Sequence, residues 1–142
     1  MKFTFSLDSV LKVREHQEKI QQQKLAKEML RKKNIEEVRN EVSSRLNQLL
    51  RANDVKQFES VHSLKQMGSH MMEAHQTMDR LNGEKKDADK AVDKERLDLA
   101  KAHKKRHIME KVKELELNLF SEKVSRNEQT RMDEIAGQLF NR

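Results

Sequence analysis

His103 and His107 stand one helical turn apart, the spacing at which two imidazoles can grip a metal ion. They sit inside Lys101-Ala102-His103-Lys104-Lys105-Arg106-His107, where four cations repel another, and no third ligand accompanies them. The expectation is no metal and no cofactor. His70 and His75 are five residues apart, diverge on a helix and read as surface residues. Gly68, Gly83 and Gly137 fit neither a phosphate-binding loop nor a dinucleotide fingerprint. With no cysteine, a nucleophile would have to be Ser, Thr or Lys, and no serine occupies an elbow. The carboxylates run along helix faces beside Lys and Arg, where pairing one turn apart and solubility account for them. No catalytic residue emerges, and the chain is not expected to be an enzyme.

The basic run at 101–107 and the net charge of +6 raise the question of nucleic acid. Acidic residues interleave almost everywhere else, stacking aromatics are lacking, and no basic region precedes a zipper. The expectation is therefore no nucleic acid, and contact with an acidic protein surface fits the run better. Met67, Met71, Met72 and Met78 cluster on one stretch. Most fall on an apolar seam and read as core, while Met72 is left over as an adaptable docking residue.

The elements that carry these residues are long helices. Among 142 residues there is no proline and only three glycines, so little interrupts a helix. Apolar residues make up 35% and charged residues 38%, which is too little apolar mass for a compact globule of this length. Ser6 reads as the first cap, with Asp8 at the positive helix end and Phe5 and Val10 spaced as a staple. The residues predict one domain over 1–142: a first helix over about 6–53, a turn over about 54–62 and a second helix over about 63–140. Asn53-Asp54 is the first break, and Ser60 and Ser63 are cap candidates.

Apolar seams predict how the arms meet. Ile35, Val38, Val42, Leu46 and Leu49 recur at three- and four-residue steps, as do Leu64, Met67, Met71, Ala74, Met78 and Leu81, continuing through Ala88, Val92, Leu99 and Ala102. The fold class is all-α, an antiparallel coiled-coil hairpin. Val42 opposite Met78 and Leu46 opposite Ala74 share a register whose paired numbers add to about 120, turning near Ser60. A second register would turn at Gly68. Arg14, Glu18, Gln21, Lys32, Lys85 and Glu95 interrupt the seams, and the second seam is expected to shift frame around Ala102–Ile108. Polar layers cost stability and specify register.

In the first register the second arm overhangs by roughly 25 residues, or about 35–40 Å. The overhang carries Leu119, Phe120, Val124, Met132, Ile135, Leu139 and Phe140, apolar groups that call for a partner. Phe3, Phe5 and Leu7 are interrupted by polar residues and make no signal peptide, and no stretch approaches a membrane span. The expected location is the cytoplasm.

Both ends of the chain resemble the FliJ family of the flagellar type III export apparatus. Phe3, Phe5, Leu7, Val10, Leu11 and Arg14 are similar to its opening pattern. Lys104-Lys105 with Met109-Glu110-Lys111-Val112-Lys113-Glu114, and Glu128-Gln129 with Met132-Asp133-Glu134-Ile135-Ala136, are similar to its closing ones. The middle matches only as heptads, and Leu46, Leu49 and Leu50 stand where the family carries aromatic residues.

The resemblance implies a stalk like the central stalk of rotary ATPases, whose base inserts into a hexameric flagellar export ATPase and promotes its assembly and activity. It implies contact with the cytoplasmic domain of the export gate's membrane protein, and escort of export chaperones. The chain would then lie at the inner face of the cell membrane, peripheral to it through protein contacts, and serve flagellum biogenesis and motility. By the same resemblance Phe3, Leu7, Leu11, Arg14, Met132, Asp133, Glu134 and Ile135 would bind the ATPase. Leu46, Leu50, Phe58 and Met72 are gate-binding candidates from position alone, with seam or turn packing the equal alternative. The other readings are an injectisome type III secretion stalk and a generic structural coiled-coil adaptor.

Overall fold

A computed structural model describes residues 1–52 and 60–142. They form two helices, α1 (Asp8–Ala52, 45 residues) and α2 (Val61–Phe140, 80 residues), with no strand among the described residues. The helices pack against each other as an all-α hairpin. The chain divides into two compact units: Met1–Gln21 with Leu99–Arg142, and Gln22–Asp98.

α2 begins under a side-chain cap. Ser60 Oγ accepts from the Ser63 amide at 3.2 Å, taking up one of the donors that a helix start leaves over. α1 starts differently from the sequence expectation. The Ser6 hydroxyl does not cap it but donates to Glu116 Oε1 at 2.8 Å across the hairpin, and α1 begins at Asp8, whose carboxylate pairs with Lys12 at 3.0 Å. The Ser6 amide also donates to Glu116, at 3.4 Å to Oε2, and these two bonds to a charged acceptor hold Ser6 against the facing helix instead of over the first turn of α1.

In each unit the facing residues pair antiparallel with numbers adding to about 121: Glu18 with His103, and Lys32 with Asp89. Gly68 lies inside α2 without a positive φ, so the chain does not turn there. The expected break at Asn53-Asp54 and most of the expected turn over 54–62 lie outside the described residues.

The inward residues of α1 alternate three- and four-residue steps through Leu11, Arg14, Glu18, Gln21, Leu25, Glu28, Lys32, Ile35, Arg39, Val42 and Leu46. Val38, expected in the seam, is 46% exposed and Arg39 replaces it. Reckoned from Lys32, Val38 lies about 120° round the helix and Arg39 only about 20°, so a strict heptad selects the arginine. Leu64 is likewise exposed, with Ser63 turned inward. The expected frame shift in α2 does not occur. Leu99, Ala102, Arg106, Met109, Lys113, Glu116 and Phe120 keep the same alternation, and Ile108 is exposed. Arg106, read from its neighbours as part of a basic run suited to an acidic protein surface, is a seam residue.

Among the described residues the buried apolar set is small: Leu11 in the first unit, and Leu81, Ala88 and Val92 in the second. Hydrophobic burial scales with area, so a two-helix layer with this core draws a large share of its specificity from polar layers.

Candidate docking surfaces

The first unit holds a polar layer in its seam. Glu18 on α1 is 8% exposed and faces His103 and Arg106 on α2. Arg106 donates through Nε to Glu18 and through Nη1 to Glu110, so one guanidinium bridges two carboxylates. His103 Nδ1 lies 3.1 Å from Glu18 Oε1, which can only accept, and 3.0 Å from Arg106 Nη2, which can only donate, so the tautomer selects which of the two it bonds. Burial works to raise the Glu18 pKa, but the bonds from His103 and Arg106 outweigh it and hold the carboxyl below its ordinary value. Glu18 and Glu110 in turn raise the pKa of Arg106. Heptad arithmetic, which sets residue 18 opposite residue 103, is the signal that could have found this layer from sequence. The His103 and His107 rings stack at 6.3 Å between centroids, and among the described residues no three metal-ligating side chains converge.

Below this layer the N-terminal lead lies along α2. Phe3 packs on Phe120, ring centroids 5.5 Å apart, and Ser6 holds Glu116. Phe3 is half-buried, Leu11 buried, and Arg14 half-buried with Nη1 donating to Gln17 at 3.3 Å; Leu7 is 40% exposed. Phe120 and Val124 are half-buried, which shortens the expected overhang. From 125 to 142 every residue is exposed.

That run stays helical because it extends a helix already nucleated. Met132, Ile135 and Leu139 lie at three- and four-residue steps and so form one exposed stripe, without a partner among the described residues. Asp133 and Glu134 flank it. The structure therefore does not gather the eight sequence-derived positions. Phe3, Leu11 and Arg14 serve intrachain packing, while 132–135 stand about 18 Å further along α2 than Phe120.

In the second unit Leu46 is half-buried and lines an open groove with Val42, Leu49, Ala74 and Thr77, flanked by Arg45, His70 and Glu73. Leu50 and Met72 are exposed, whereas Met67, Met71 and Met78 turn inward. Phe58 lies outside the described residues. Lys32 Nζ lies 3.0 Å from Asp89 Oδ1, and the Asp89 carboxylate raises the lysine's pKa. Among the described residues no helix is long and apolar enough to cross a membrane.

The sequence profile of one family, described as Flagellar FliJ protein, matches residues 2–142. No curated protein and no solved structure matches the chain.

Proposed function

The chain belongs to the flagellar FliJ family and is thus a component of the flagellar export apparatus, and from that premise we propose that it acts as a non-enzymatic stalk gripped by the hexameric export ATPase. The observation that carries this reading is the exposed stripe of Met132, Ile135 and Leu139 on a helical run with no partner among the described residues. Apolar surface left in water is a standing cost, and a ring lumen would relieve it while Asp133 and Glu134 met cations on the wall. Leu7 joins the contact from the side, whereas Phe3, Leu11 and Arg14 act by fixing the hairpin's base. On this reading the stalk promotes ring assembly and hydrolysis. Its second unit, through the groove at Leu46 and the exposed Leu50 and Met72, meets the cytoplasmic domain of the export gate, and the chain escorts export chaperones. It works in the cytoplasm at the inner face of the membrane.

The test is hydrolysis and ring formation by the cognate export ATPase with and without the chain. The chain raises both, and the triple change Met132→Ser, Ile135→Ser, Leu139→Ser abolishes the effect while leaving helicity and melting unchanged. Two folded proteins that ignore each other in both assays would sink the proposal.

A further inference from the structure

Between residues 101 and 119 one exposed face of α2 joins lysines with large apolar residues. At about 100° per residue, Lys101, Lys104, Ile108, Lys111, Leu115 and Leu119 fall within an arc of about 80°, turned about 140° from the seam that meets α1. All six are exposed, and no Asp or Glu falls on the arc. Lys101 and Lys104 have no ion-pair partner among the described residues, and Lys111 shares a bridge of 3.1 Å with Glu114 in which both side chains are 60% exposed. The cations are all lysines, whose long alkyl stems lie along apolar surface while the ammonium reaches outward.

We infer that this arc is a contact face for an anionic membrane surface, with the lysines at the phosphate level and Ile108, Leu115 and Leu119 pressed into the headgroup boundary. Charge complementarity selects an anionic occupant, since juxtamembrane lysines are each attracted to such a surface. Shape selects a planar one. A third helix would settle in the groove between α1 and α2, but the arc points away from that groove and presents the ridge of a single helix over about 27 Å. The contact is direct, beyond the protein-mediated association expected from the sequence, and it does not depend on the ATPase reading.

The test is co-sedimentation of the full chain with vesicles of phosphatidylcholine alone or with about one third phosphatidylglycerol, at about 100 mM salt. The chain partitions onto the anionic vesicles and not the neutral ones. Lys101→Gln, Lys104→Gln, Lys111→Gln together weaken partitioning about a hundredfold, at about fivefold per lysine. The same three positions changed to Arg retain it, with helicity by circular dichroism unchanged in both. Ile108→Ser with Leu115→Ser weakens it several-fold. Lys19→Gln, Lys33→Gln, Lys65→Gln, an equal loss of charge at exposed positions outside the arc, leaves it within about twofold. Three results each overturn the inference: no partition onto anionic vesicles, an equal loss in the Lys19/Lys33/Lys65 control, or indifference to the Ile108/Leu115 change. The last, with polyglutamate bound through the same lysines, would assign the arc to an acidic protein instead.

Discussion

Replacing Glu18 by Ala tests whether the polar layer holds the first unit together. The carboxylate is buried in the seam and takes one bond from Arg106 and one from His103. A hydrogen bond involving a charged group contributes about 1.5–3 kcal/mol, offset in part by the desolvation of the carboxylate, and the loss expected at neutral pH is about 2 kcal/mol. That corresponds to roughly a thirtyfold rise in the opening equilibrium of this unit. Amide hydrogen exchange of segments 8–20 and 100–116 reads it locally, whereas segments within 61–98 should change little.

The pH dependence carries a definite sign. Because the folded Glu18 pKa lies below its unfolded value, its contribution is fully present above the unfolded pKa and is lost as pH falls through the folded one. Between neutrality and pH about 4.5 the wild type and Glu18→Gln should run parallel, and at lower pH the gap between them should narrow. Equal exchange in the two proteins at neutral pH, or a gap that persists unchanged into acid, would refute the account.

Leu81→Ala, at a position 3% exposed, removes one of the few buried apolar side chains and should cost about 2–4 kcal/mol in urea unfolding. Ser60→Ala should lower stability by about 1 kcal/mol through loss of the α2 cap, with Ser60→Asp restoring it in thermal melts. Gly83→Ala should raise stability by about 0.5–1 kcal/mol, since an added Cβ meets nothing within 4 Å and the helix backbone is relieved of a flexible residue.

Much of this molecule was legible from residue order alone, because helices are a local matter. A chain without proline, rich in good helix formers and striped at heptad spacing, has few alternatives to long paired helices, and seam matching pointed to the observed pairing over a turn at Gly68. The apolar positions of the closing segment were legible for the same reason. The tertiary structure decided what sits in each layer. Whether Val38 or Arg39 turns inward depends on phase accumulated over many turns, which a short apolar pattern does not carry. Whether Arg106 is a surface cation or a seam anchor depends on a carboxylate 88 residues away. Ser6 looked like a cap because its own neighbours are the only partners sequence can display, while Glu116 reaches it only once the arms have met. Local propensity sets what the elements are, and long-range pairing of charge and shape sets which side chains they hide.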